Sequence, residues 1–232
     1  GEMVAFIGQS GAGKSTLVGL LTGLLAPSSG RLLVDGKELS HDTLAAWGKS
    51  IGYVPQSSYL MDATLAENIA VSEWGKAPDM GRVREASRKA AIDFVDQLPH
   101  GFHTPLGEKG VRLSGGQAQR VAIARALYHD PDIIIFDEAT SALDGAIEKS
   151  IQDTINCLRG QLTVVLIAHR LSTVEQSHRI FWLEKGTLRM QGTVTEVLHA
   201  SHKTLENSLA QQVSPQGDFL KYCRPFYDTW SN

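Results

Sequence analysis

The chain has 232 residues, of which 42% are apolar and 20% charged, with a formal net charge of −3. That length and apolar content support a sizeable core and exclude a disordered chain. A charged fraction below the roughly 25% of ordinary globular proteins, close to charge balance, provides no bulk electrostatic attraction to nucleic acid or to an anionic membrane surface.

The chain opens on Met3 to Ile7, which reads as a core strand with only Gly1 and Glu2 before it, as expected of a piece of a longer protein. A Gly-rich turn follows, then Leu17, Leu20, Leu21, Leu24 and Leu25 at helical spacing, closed by Pro27 and Gly30. Arg31 to Val34 and Ile51 to Val54 read as short strands of the sheet, ended by Asp35-Gly36 and by Pro55. From Thr64 to about His129 the pattern is helical, with predicted helices at Ala63 to Val71, Val83 to Leu98 and Gln117 to Tyr128. Strand and helix then alternate: strand Ile133 to Phe136, helix Leu143 to Leu158, strand Thr163 to Ala168, and a short helix near Ser172 to Ser177. Such alternation predicts a parallel sheet covered by helices, with a helical subdomain inserted. Arg179 to Leu183 and Thr187 to Met190 form a predicted hairpin, Val194 to His199 a last short helix, and the signal fades beyond Ser201.

Two cysteines, Cys157 and Cys223, form neither a disulfide framework nor a metal-binding pair, which fits a reducing cytosol. Cys157 lies beside the apolar stripe Ile147, Ile151, Ile155 and Leu158 and is expected to pack with it. No signal-peptide pattern opens the chain, and no apolar run approaches the roughly 20 residues of a membrane span.

Three segments carry chemistry. Gly8-Gln9-Ser10-Gly11-Ala12-Gly13-Lys14-Ser15, followed by Thr16, fits G-x-x-x-x-G-K-[ST] between a strand and a helix. Backbone N–H groups there turn inward around phosphate oxygens, Lys14 reaches the β/γ-phosphates of a nucleotide, and the Ser15 hydroxyl ligates Mg²⁺. The apolar strand Ile133 to Phe136 ends in Asp137 and Glu138. Asp137 is expected to hold Mg²⁺ through water, while Glu138 points elsewhere and polarises the attacking water as general base. Leu113-Ser114-Gly115-Gly116-Gln117 is a second phosphate cradle, in which Ser114 supplies a hydroxyl, Gly115 and Gly116 supply exposed N–H groups, and a helix begins at once.

With that pentapeptide the chain resembles the ATP-binding cassette (ABC) family, whose signature is L-S-G-G-Q. The resemblance runs from about Gly1 to His199 and implies an α/β fold, a P-loop NTPase core with a mainly parallel sheet plus an inserted helical subdomain. It implies an ATP-binding domain over residues 1–200, with the helical subdomain at about 63–130 and a tail over 201–232. It also assigns Gln56 as the Q-loop glutamine that touches Mg²⁺ and water and senses the transporter's coupling helices. Ser141-Ala142-Leu143-Asp144 is similar to the D-loop, and His169 to the switch histidine that orients the γ-phosphate and water. Ser114 to Gln117 would act in trans, on the ATP of a second ABC domain in a homodimer or heterodimer. The aromatic that stacks on adenine in the family is expected upstream of Gly1, leaving Trp47, Tyr53 and Tyr59 as packing residues.

Thr104-Pro105-Leu106-Gly107-Glu108-Lys109-Gly110 is similar to the T-x-x-G-E-x-G segment that ABC exporters place against their intracellular loops. Thr64 to Ile69 and Ala168 to Ser172 also resemble exporters, and Ala118 is similar to the cassettes of the heterodimeric cysteine/glutathione exporter of cytochrome assembly. The resemblance therefore implies an ATPase, with Mg²⁺ as cofactor, that powers export through transmembrane domains absent from this chain. Its expected location is the cytoplasmic face of a membrane, the bacterial inner membrane in particular, with no nucleic acid as partner. The alternative, a soluble ABC ATPase acting on ribosomes or DNA, would bring a second cassette or a basic patch.

Overall fold

The computed structural model describes residues 1–107, 111–139, 145–168 and 174–197. Their centre is a six-stranded sheet built from β1 (Met3–Ile7), β4 (Ile51–Val54), β5 (Ile133–Asp137), β6 (Thr163–Ala168), β7 (Arg179–Glu184) and β8 (Thr187–Gly192). The strand order is β4-β5-β6-β1-β7-β8, with every pair parallel except the final hairpin. Ile134, Phe136, Val164, Leu166 and Ala168 face one core, and Ile135, Val165 and Ile167 face a second. Both faces are covered, which is why these strands read as unbroken apolar runs rather than as alternating ones.

On the second face Val18 of α1 (Lys14–Leu21) packs against Ile135, Val165 and Ile167. The first core takes α5 (Gly115–Leu127), through Val121, Ala122 and Ile123, and α6 (Gly145–Leu158), through Ile151, Ile155 and Leu158. A Cβ on Gly52 of β4 would stand 2.5 Å from the Ala126 carbonyl of α5, so only glycine permits that approach. Between β4 and α5 come α3 (Leu65–Ile69) and α4 (Met80–Lys89), which with α5 form the inserted helical layer.

Several elements depart from the sequence expectations. α1 stops at Leu21, and Leu24, on the expected stripe, is 80% exposed beyond the turn at Gly23. Arg31 to Val34 contributes only β2 (Leu33–Val34), which pairs with β3 (Lys37–Glu38) in a separate two-stranded sheet. The unexpected α2 (His41–Lys49) starts from a Ser40–Thr43 capping box and carries too few apolar residues to announce itself by periodicity. The helix expected to run to Leu98 ends at Lys89, because Ala91 takes a positive φ of 53°, and a single 3₁₀ turn at Val95–Gln97 follows. Cys157 is exposed rather than packed, since the buried face of α6 runs through Ile151, Thr154, Ile155 and Leu158 and position 157 falls off it. Residues 174–176 form a turn and 194–197 are helical; the remainder of those two expected helices, and the tail over 201–232, lie outside the described residues.

Candidate functional site

β1 delivers the chain into the loop 8–13 at the C-terminal edge of the parallel strands, where an open α/β sheet places its ligands. Gly13 sits at the N-cap of α1 with φ 98°, a left-handed conformation that costs glycine nothing, and no side chain caps the helix. The N-terminal N–H groups of α1 therefore remain for an anion. The loop is supported from below by the β7–β8 turn, where Gly186 N–H donates to the Ala12 carbonyl at 3.0 Å. Sequence reading missed that support, because residues 12 and 186 meet only through the pairing of β1 with β7.

Lys14 is 8% exposed, and its Nζ donates to the carbonyls of Gly8 at 2.8 Å and Gln9 at 3.2 Å. It also stands 3.9 Å from Glu138 Oε1. Strand alternation would turn Glu138 away from Asp137, but its φ of 51° breaks the alternation just past the end of β5. Both carboxylates consequently line one cavity of about 620 Å³, together with Ser10, Gly11, Gly13, Lys14, Ser15, Thr16 and Gln56. A non-glycine residue held in the left-handed region stores on the order of 1–3 kcal/mol of strain, a feature that gathers at active sites. Gln56 Nε2 donates to Glu138 Oε2 at 3.2 Å, so the glutamine expected beside Mg²⁺ also touches the expected base.

Of the other residues expected in the nucleotide site, Gly8 and Ala12 are buried as supports of the loop, and Gln9 is exposed. Ser114 caps α5 through a reciprocal box, its Oγ accepting from Gln117 N–H at 3.3 Å and its own N–H donating to Gln117 Oε1 at 2.9 Å. Gly115 is exposed, but Gly116 is buried against Ile147, where a Cβ would stand 2.5 Å from the Cγ2 methyl. Gly116 thus serves the approach of α6 to α5. None of Ser114, Gly115, Gly116 and Gln117 lines the cavity over the P-loop. Asp144, with Ser141 to Leu143, lies outside the described residues, as does His169.

Three side chains make contacts that were not legible in the sequence. Tyr53, 40% exposed, donates its phenol hydrogen to Asp137 Oδ2 at 3.0 Å. Ser58 Oγ, two residues past Gln56, donates to Oε1 of the buried Gln119 on α5 at 2.5 Å. Arg125, also on α5, donates to the carbonyls of Tyr59 and Asn68 at 3.0 and 2.8 Å, and burial pushes its guanidinium pKa down. Tyr53 and Tyr59, the latter 75% exposed, are therefore not packing residues, whereas Trp47 is half-buried and donates Nε1–H to the Leu21 carbonyl at the end of α1.

The donor set suits Mg²⁺. The Ser15 hydroxyl, the Asp137 carboxylate and the Gln56 amide oxygen are hard oxygen ligands on one cavity, and a few such groups plus substrate phosphates are what this cation takes.

Comparison with known proteins points the same way as the motifs. The family described as ABC transporter matches residues 1–141. An ATP-dependent lipid A-core flippase of Ralstonia nicotianae is 46% identical over 200 residues, covering 85% of this chain and 34% of the relative. An ATM1-type heavy metal exporter of Novosphingobium aromaticivorans is 44% identical over 199 residues, covering 85% of this chain and 32% of the relative. A solved bacterial Atm1-family ABC exporter with ATP bound superposes with a TM-score of 0.77 at 41% identity, over 92% of this chain and 38% of that one. The chain thus spans about a third of the length of each of these two relatives.

Proposed function

Because the chain belongs to the ABC transporter family, we propose that it is the nucleotide-binding domain whose ATP hydrolysis powers export of a substrate across a membrane. The observation that carries the reading is the single cavity shared by the Lys14–Thr16 turn, Gln56, Asp137 and Glu138. Phosphates enter over the N-terminus of α1, and Lys14 exchanges the carbonyls of Gly8 and Gln9 for β/γ-phosphate oxygens. Ser15, Asp137 and Gln56 would hold Mg²⁺, which when bound would supply positive charge against that developing on the phosphates. Glu138, braced by Gln56, accepts the proton of the water whose oxygen attacks the γ-phosphorus as the bond to the ADP oxygen breaks. On the family resemblance His169 would orient the γ-phosphate and water, and Asp144 would serve as the D-loop aspartate.

Ser114 to Gln117 close on the ATP of a second ABC domain, identical or related, with the two domains head to tail. Their absence from the lining of this chain's own cavity supports that arrangement. The ATP-binding domain runs over residues 1–200, with the helical subdomain at about 63–130 and the tail at 201–232. Transmembrane segments dock on the cleft of about 520 Å³ lined by Tyr59, Leu60, Asp62, Gly107, Val111, Arg112 and Leu113. That cleft joins the loop after Gln56, the glutamine assigned to sense the coupling helices, to the segment after Thr104 that is similar to the one exporters place against their intracellular loops. The domain then works at the cytoplasmic face of a membrane, in bacteria the inner membrane. Among the described residues no helix is long and apolar enough to cross a membrane, and the greater length of an exporter and a flippase among the relatives supports spanning segments supplied by other sequence.

Glu138→Gln tests the chemistry. ATP affinity measured by calorimetry is expected to stay within a few-fold of wild type, while steady-state phosphate release falls by about 10² or more. A variant that keeps most of its turnover overturns the assignment of the base.

A further inference from the structure

Tyr53 stands on β4 beside Ile135 of β5, and the strands run parallel. Side chains two residues apart share a face of a strand, so Asp137 projects from the same face as Ile135, one step further along. That step is about 6.6 Å, close to the length of a tyrosine ring with its hydroxyl, and the phenol reaches Asp137 Oδ2 at 3.0 Å. The ring is 40% exposed, so core filling does not account for it. Gly52 and Val54, its neighbours on β4, are the buried residues there. The hydrogen bond also reaches across 84 residues to the carboxylate assigned to the cation.

We propose that Tyr53 is a positioning residue for the magnesium site, its phenol O–H holding the Asp137 carboxylate so that the second oxygen faces the cation bound with ATP. This rests on the nucleotide-site reading above and adds to it a residue outside the nucleotide motifs. Carboxylates that serve metals are commonly oriented by such outer partners, and loss of one weakens metal affinity by roughly 10- to 100-fold.

The experiment uses Tyr53→Phe and Tyr53→Leu in the full chain, with Mn²⁺ as the probe, its binding in the presence of ATP followed by electron paramagnetic resonance. Tyr53→Phe is expected to weaken Mn²⁺ binding about tenfold and to raise the Mg²⁺ concentration needed for half-maximal ATP binding. ATP affinity in excess chelator and the thermal midpoint are expected to match wild type, since the ring remains. Tyr53→Leu should then be no worse toward Mn²⁺ than Tyr53→Phe. Wild-type Mn²⁺ affinity in Tyr53→Phe overturns the proposal, as does a loss confined to Tyr53→Leu, which would make the ring rather than the hydroxyl responsible. A wild-type chain that binds no Mn²⁺ with ATP would overturn both this inference and the nucleotide-site reading, whereas failure of Tyr53→Phe alone leaves that reading standing.

Discussion

Lys14 is buried and held by two carbonyls of its own loop, so its ammonium is already poised where phosphate oxygens would arrive. Removing it takes away charge-assisted hydrogen bonds of about 1.5–3 kcal/mol each. Lys14→Ala is therefore expected to weaken ATP binding by tenfold or more in a calorimetric titration. Glu138 offers a test of stored strain at the same scale. Its left-handed φ of 51° disfavours any side chain with a Cβ by roughly 1–2 kcal/mol. Both Glu138→Gly and Glu138→Ala should lose turnover, yet the glycine variant is expected to be the more stable by about 1 kcal/mol in chemical denaturation. Equal stabilities would show that the backbone there is not strained.

At the scale of elements, α3 depends on a reciprocal cap. Thr64 Oγ1 accepts from Glu67 N–H at 3.2 Å, while Thr64 N–H and O–H donate to Glu67 Oε2 at 2.8 and 2.7 Å. Thr64→Ala should cost about 1 kcal/mol, read from denaturant midpoints. The same bonds hold the Glu67 carboxyl below its usual value of 4.5. A carboxyl depressed in the folded state stabilises fully above its unfolded pKa and loses that contribution as pH falls through the folded one. The stability difference between wild type and Glu67→Ala is thus expected to be constant near neutrality and to shrink as pH drops below about 4.5. A difference independent of pH down to acid unfolding would rule out the carboxylate as the stabilising form. The contact of β4 with α5 makes a second prediction: Gly52→Ala drives a methyl to 2.5 Å from a carbonyl oxygen, and overpacking of that kind costs about 1–3 kcal/mol. Thermal melts of the variant should show it.

At the scale of the molecule, the two segments expected to cradle phosphate occupy different places: α1 starts at the cavity over the sheet, and α5 starts with residues that do not line it. A single chain with this arrangement would leave Ser114 to Gln117 without a phosphate, and a pair related head to tail would use both sets. Glu138→Gln, expected to bind ATP without turning it over, is expected to double its mass by light scattering when Mg²⁺ and ATP are added, and to be mainly monomeric without them. No change in mass at high protein concentration would count against a homodimer and leave a related second subunit as the partner. Ser58–Gln119 and Arg125–Tyr59 fasten the loop after Gln56 to α5, and Arg125–Asn68 fastens α3 to it, by direct side-chain contacts.

The sequence by itself determined the P-loop with its flanking strand and helix, the buried strand ending in Asp137 and Glu138, and the five-residue signature at the head of a helix. Each is a local pattern, readable because a strand, a turn or a cap depends on residues within a few positions of one another. Even there, boundaries moved where a backbone angle intervened, as at Ala91, or where a polar helix such as α2 lacked an apolar rhythm. Tertiary structure alone decided which strands are neighbours, and that decided the rest. Placing β4 beside β5 brought Tyr53 to Asp137 and Gln56 to Glu138 across 84 and 82 residues. Pairing β7 with β1 put Gly186 under the P-loop, and the packing of α6 on α5 turned Gly116 inward while leaving Cys157 in solvent. Side-chain periodicity is a property of one segment, whereas strand order and register are properties of how distant segments share a core, and no short window of sequence contains them.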